Sequence, residues 1–363
     1  MGNVNKRDWS VLSKYRTEIF GLSVIGIIIL HYFQNLHKAG VDGLGKVATV
    51  FYYDVVGSVG VEIFLFLSGM GLYFSMCKDG NVLRFYGRRL QRLLLAYTIW
   101  GGIFWVIRDI VLLDLGVERF LYDFFFLSFW NEGVTSLWYI GFIIPLYFAY
   151  PLLQIILRKE NKLRTLMFIL MLIVCVMTVD WMKVHTPNFY QDTKLATYRI
   201  PIFLFGIYYG NKIYEKKQFN LGDKLLVISG LMANLLLIIN KTYTIPFMKY
   251  IDIEYIKCLY AISVVVVLAC VLDVIKSKKN NYFLASTGAL SLELYMTHVN
   301  IRNIMTYMGF ELSQFWLYMT CVLLSIASSI VLSNICRGII YLCSPNKRKK
   351  VQTIKPPKVI VIE

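Results

Sequence analysis

The sequence predicts an all-α, polytopic membrane protein with ten transmembrane helices and both termini in the cytosol. Three observations carry that prediction. Of 363 residues, 57% are hydrophobic and only 17% charged, and the mean hydropathy is +0.58, which excludes a soluble globule. Apolar runs long enough to cross a bilayer recur along the whole chain, with no soluble stretch long enough for a second domain. The loops between them alternate in charge. Segments 1–16, 77–92, 157–164, 211–224, 276–283 and 337–363 hold about 27 of the 38 Lys and Arg residues. Cations mark the cytosolic side, so the chain begins and ends there and crosses an even number of times. The net charge of +16 then reports cytosolic loops rather than nucleic-acid binding.

The spans are expected near 17–36, 55–76, 93–113, 134–156, 165–182, 198–214, 223–240, 254–275, 284–302 and 314–336. The first apolar run is too long for a signal peptide and is followed by others, so it reads as a span. It opens with Lys14, Arg16 and Glu18 and carries His31 deep inside, with Gln34 and Asn35 extending the polar stripe. The second carries Glu62 among small residues that permit close helix approach, in GSVGVEIFLFLSGMG at 57–71. An arginine-rich helix, LRFYGRRLQRLLLAY at 83–97, leads into the third. The fourth follows SLWYI at 136–140, bears Pro145 and ends YP at 150–151; the sixth opens with Arg199 and has Pro201 in its first turn, where proline is tolerated. The ninth carries Ser291, Tyr295 and His298 at spacings of four and three, hence on one face. The outer loops are aromatic, with FYYD at 51–54 and FYQD at 189–192 reading as interfacial anchors. The stretch FLYDFFFLSFWNEG at 120–133 is apolar yet too short to span, and reads as a re-entrant or interfacial segment. Residues 1–345 form the membrane domain. The basic tail 346–363, with NKRKK at 346–350, is expected to be a disordered cytosolic end that touches anionic lipid.

Four groupings could carry chemistry. An ionisable residue at mid-membrane costs roughly 3 kcal/mol on insertion scales, so His31 should face a bundle interior or a wet cavity. Fifteen residues separate it from Arg16, which places the two about 60° apart around the helix and about 22 Å apart along it. Arg84, Arg88 and Arg92 recur every four residues on one face, with Arg89 beside them. They serve either as topology anchors or as an anion site, for which arginine's planar fork is better suited than lysine. Glu62 either orients an imidazole or only packs helices. Arg199, Tyr295 and His298 are candidates for the far half of the membrane. The seven cysteines show no CxxC or metal spacing, and no nucleotide, metal or nucleophile-elbow motif appears, so no metal and no bound cofactor are expected.

Six stretches, in order and over nearly the whole chain, resemble the acyltransferase 3 family of bacterial integral-membrane O-acyltransferases. They are YRTEIFGLSVIGIIILH at 15–31, GVEIFLFLSG at 60–69, RFYGRRLQRLLLAY at 84–97, SLWYI with its YP end at 136–151, RIPIFLFG at 199–206, and LSLELYMTH at 290–298. The resemblance implies a ten-span fold in the bacterial cytoplasmic membrane. It implies acyl-CoA as donor, acetyl being the family's most frequent group, and a hydroxyl of an envelope or exopolysaccharide glycan as acceptor. By position, His31 corresponds to the catalytic base, Arg16 and Glu18 to the polar pair at the foot of span one, and Arg88, Arg89 and Arg92 to the donor-associated arginine motif. The chain departs from the family where Glu18 is followed by Ile19, Phe20 and Gly21 without the usual arginine, and where Ala96 stands at the usual proline. Larger relatives append an extracellular domain that finishes the transfer. Without one, the chain is expected to act alone or with a separate extracellular transferase.

The expected mechanism joins the two readings. Arg84, Arg88, Arg89 and Arg92, with Arg16, meet the donor phosphates, and the pantetheine arm threads along span one. His31 deprotonates the acceptor hydroxyl, and Glu62 or another carboxylate holds the ring. Arg199, Tyr295 and His298 line the acceptor side. The competing class is a proton-coupled transporter or polysaccharide flippase, which also buries Arg, Glu and His in apolar spans. Against it stand the absence of an inverted repeat and the arginine-only cluster.

Overall fold

The computed structural model describes residues 8–40, 51–157, 161–250, 252–275 and 278–343. The tail expected at 346–363 lies outside them. Helix makes up 87% of the structure and no strand occurs among the described residues, as an all-α chain requires. Eight helices are long and apolar enough to cross a membrane. These are α1 (Arg16–Lys38), α2 (Gly60–Asp79), α3 (Val82–Leu112), α4 (Trp138–Leu157), α5 (Asn161–His185), α7 (Leu221–Thr242), α8 (Ile253–Ile275) and α11 (Phe315–Leu342). The other two expected spans are helical but shorter. The one at 198–214 is α6 (Ile200–Tyr214), of 15 residues. The one at 284–302 breaks at Leu290 into α9 (Lys278–Ala289) and α10 (Ser291–Tyr307), of 12 and 17 residues. Apolar side chains such as Val174, Met177 and Leu323 point outward, 60–65% exposed. Only lipid covers such a surface, and the chain is a multi-pass membrane protein.

The arginine helix and the third span prove to be one element. No proline interrupts 82–112, and α3 runs through as 31 residues with π-type turns at Tyr97–Gly101 and Val106–Leu112. Its start is fixed locally. Gly80 closes α2 at φ +67, in the left-handed region that glycine enters freely, and the Asn81 side chain accepts from the Arg84 amide at 2.9 Å. This tight reversal folds the arginine-bearing half of α3 back against α2.

Glycines set the two crossings that shape the interior. A Cβ on Gly288 of α9 would run into the Thr17 carbonyl, and one on Gly21 of α1 into the Leu284 carbonyl. Gly69 of α2 and Gly206 of α6 form a second reciprocal pair against the carbonyls of Phe203 and Phe66. Backbones can approach this closely only where side chains are missing. The first crossing carries Gly288 and Ala289 to the foot of α1, where they become cavity wall.

The stretch at 120–133 forms the short helices Gly116–Phe124 and Leu127–Glu132, neither able to span. They break at Phe126, whose φ is +62 and whose ring stacks on Tyr97 at 4.5 Å.

Candidate active site

A cavity of about 410 Å³ opens between α1, α2, α3, α4, α9, α10 and α11, within the size range of small-molecule sites. Arg16, Arg88, Arg89, Arg92 and Arg337 line its mouth, and Phe20, Ile27, Phe64, Ser68, Tyr139 and Tyr295 its interior. Arg84 lies outside it, on an exposed turn of α3, so only three of the four clustered arginines converge. Glu18 also lies outside, two residues and hence about 200° from Arg16 around α1.

Three guanidiniums are held on carbonyls of α2 spaced one turn apart. Arg16 donates from Nε to Leu67 O at 3.3 Å, Arg89 from Nη2 to Gly71 O at 2.5 Å, and Arg88 from Nη2 to Ser75 O at 3.3 Å. Gly71 is required for the first of these, because a Cβ there would stand 2.5 Å from Arg16 Nη2. The ladder grades the cations in depth, Arg16 innermost and Arg88 at the rim. Arg92 is held differently. It forks onto Glu293, Nη2 standing 3.0 Å from each carboxylate oxygen, and Nη2 also donates to Ala289 O at 2.8 Å. Glu293 is 2% exposed and Arg92 51%, so the pair clamps α3 to α10 while part of the guanidinium still faces the cavity. With five arginines against this one carboxylate, the mouth is strongly cationic and suits a polyanion.

Beyond the cations the wall turns aromatic and polar. Ser68 Oγ and Tyr139 OH lie 3.4 Å apart, and the buried Tyr295 hydroxyl has no hydrogen-bond partner. The cavity lining ends at Ile27 on α1 and Tyr295 on α10, and the next turn of each helix carries a histidine. His31 and His298 stack with ring centroids 5.3 Å apart and planes within 13°. Tyr318 of α11 fixes the second ring. Its hydroxyl donates to the Ile28 carbonyl and lies 3.2 Å from His298 Nε2. The single phenol proton is spent on Ile28, so His298 Nε2 must be the donor and Nδ1 carries the lone pair. That Nδ1 is buried and unpartnered, as is Nδ1 of His31. The site therefore presents two neighbouring imidazoles, each with a buried Nδ1 that no protein group engages.

The expected link from Glu62 to His31 is not what the structure holds. Glu62 instead pairs with Arg199 at 2.8 Å, 2% and 13% exposed respectively. Arg199 also donates to Leu195 O at 2.6 Å and lies over Trp138, 5.3 Å from the ring. A buried guanidinium is the stronger partner for a buried carboxylate, and it takes Glu62 away from the imidazole. Arg199 is neutralised in turn, so it is not the free cation expected in the far half of the membrane. Sequence reading missed Arg337, Tyr318, Tyr139 and Ser68 as site residues. Tyr139 lies inside SLWYI, a stretch already noted, but Arg337 and Tyr318 stand in an apolar run with no local pattern to mark them.

A family model described as an acyltransferase domain, that of the acyltransferase 3 family, matches residues 21–334. No curated protein and no solved structure matches the chain.

Proposed function

The chain belongs to the acyltransferase 3 family, and from that premise we propose a membrane-bound O-acyltransferase that moves an acyl group, acetyl first among candidates, from cytosolic acyl-CoA to a hydroxyl of a cell-envelope or exopolysaccharide glycan. The observation that carries the proposal is the cavity itself, cationic at its mouth and ending one turn from two stacked imidazoles. Its arginines suit the diphosphate and 3′-phosphate of CoA, and its narrow aromatic interior suits the uncharged pantetheine arm. The arginine end is then the cytosolic one, in keeping with the basic loops. The membrane is the bacterial cytoplasmic membrane, and a separate extracytoplasmic transferase is a partner the reaction can use.

His31 is the base in this scheme. It accepts the proton of the acceptor hydroxyl as that oxygen bonds to the thioester carbon. The carbon–sulfur bond breaks, and the proton passes to the departing thiolate, leaving ester and CoA thiol. His298, oriented by Tyr318, offers its Nδ1 lone pair to a second, neighbouring hydroxyl of the acceptor. Glu18 has no place in the cavity and is assigned no chemical step.

The test is acyl-CoA turnover by detergent-purified protein, wild type against His31→Ala, with free thiol as readout. Thiol release by the wild type that falls by about 10²-fold or more in the variant supports donor and base together. Failure of correctly folded wild type to bind any acyl-CoA overturns the enzyme and favours a permease.

A further inference from the structure

The stripe of α10 that lines the cavity does not stop at the histidine. Ser291, Tyr295, His298 and Arg302 follow at spacings of four, three and four, so all share one helical face. Arg302 stands one turn beyond His298, about 6 Å along the axis, toward the end opposite the arginine cluster. It lies on the same face of α10 as Tyr295 of the cavity wall and His298, whose ring stacks on His31 and neighbours Tyr318. It therefore overlooks the point where the acceptor hydroxyl must sit.

Three other arginines occupy that half of the bundle, and each has a carboxylate. Arg199 is paired with Glu62 at 2.8 Å. Arg108 is paired with Asp109 and Asp123 at 3.1 and 3.2 Å. Arg119 is paired with Asp123 and Glu132, both at 2.8 Å. Arg302 has no carboxylate among the described residues; the groups that act on it are Tyr318, Cys321 and Tyr295. A half-buried guanidinium without a counter-ion is costly in a low-dielectric setting. Here it stands one helical turn from His298, whose Nδ1 is buried and unpartnered. An uncompensated cation next to a waiting hydrogen-bond acceptor matches a ligand that carries an anion and a hydroxyl within about one helical turn of each other.

We propose that Arg302 is the anion anchor of the acceptor site, and that the acceptor is an anionic glycan whose reacting hydroxyl lies near a phosphodiester or carboxylate. The inference rests on the acyltransferase reading above. The two ends of the polar track then divide the substrates: Arg16 and its neighbours hold the phosphates of the donor, and Arg302 holds the anion of the acceptor. The group transferred, the bonds made and broken and the role of His31 are unchanged.

The experiment follows radiolabelled acetyl from acetyl-CoA in full-length protein, comparing wild type with Arg302→Gln and Arg302→Lys. The acceptors are an oligo(glycerol phosphate), an oligogalacturonate and a neutral malto-oligosaccharide, and binding of each is measured alongside transfer. Acceptor-free release of CoA thiol is read in parallel. Wild type should acetylate one or both anionic oligomers at least about tenfold better than the neutral one. Arg302→Gln should erase that preference by raising the KM of the anionic oligomer about tenfold or more while leaving that of the neutral oligomer nearly unchanged, and Arg302→Lys should retain part of the preference. The oligomer preferred distinguishes phosphate from carboxylate as the anion. Equal use of the neutral oligomer, failure of both anionic oligomers to bind or react, or an equal rise in the KM of the neutral oligomer with Arg302→Gln would each overturn the proposal. Absence of thiol release from the wild type itself would instead remove the acyltransferase reading on which it rests.

Discussion

Removing the Glu62 carboxylate leaves the Arg199 guanidinium buried without its ion partner. The loss is expected to be large, since breaking one side of a buried pair costs about 3–5 kcal/mol. Glu62→Ala should therefore lower the thermal unfolding midpoint in detergent markedly, and the double variant Glu62→Ala/Arg199→Leu should recover most of it. If Glu62 instead served the imidazole, the double variant would regain stability no better than the single one. The pair also marks a limit of what residues disclose alone. Glu62 and Arg199 were each conspicuous as charges in apolar runs, and so were Arg16, His31 and His298. Nothing local connects position 62 with position 199, however, because α2 and α6 meet through the Gly69–Gly206 crossing. The same holds for His31 and His298, 267 residues apart in the chain yet stacked at 5.3 Å. Charges in lipid can be seen in a sequence; their partners are decided by helix packing.

At the scale of elements, the length of the apolar runs is sufficient to find the helices and insufficient to say how they join. The arginine face and the third span, separable by composition, are continuous in α3 because no breaker intervenes between them. The ninth span, continuous in hydropathy, is broken at Leu290, and this break lets α9 lie across the foot of α1 while α10 carries the stripe toward His31. Gly288 is the contact on which that arrangement turns. In Gly288→Ala the new methyl meets the Thr17 carbonyl, and the backbones of α1 and α9 must part. Overpacking of this kind costs about 1–3 kcal/mol. Because Gly288 and Ala289 are also cavity wall, the variant should raise the KM for acyl-CoA as well as lower thermal stability. Gly87→Ala and Gly338→Ala, where a Cβ meets nothing within 4 Å, serve as controls and should do neither. Equal behaviour of all three variants would show that the α1–α9 crossing does not hold the site together.

For the molecule as a whole, the two-substrate track requires that its ends face different compartments. In the proposed reaction the donor phosphates would enter where Arg16, Arg88, Arg89, Arg92 and Arg337 gather, and the acceptor would arrive past Arg302. The orientation proposed rests on the loops, in which lysine and arginine concentrate on the side of the chain where α2 turns into α3. Native cysteines allow this to be checked without redesigning the protein. Cys77, near the end of α2, and Cys343, just past α11, are exposed, whereas Cys258, Cys321 and Cys336 are buried. Both exposed thiols lie at the arginine end. A membrane-impermeant maleimide added to intact cells should leave Cys77 and Cys343 unmodified, and opening the membrane should label both. Lys194→Cys, on the helix Pro187–Thr197 at the opposite end, should react in intact cells. Labelling of Cys77 from outside would place the cationic mouth away from the cytosolic pool of acyl-CoA. The cavity would then have to receive its anion from the envelope, and donor and acceptor would exchange ends.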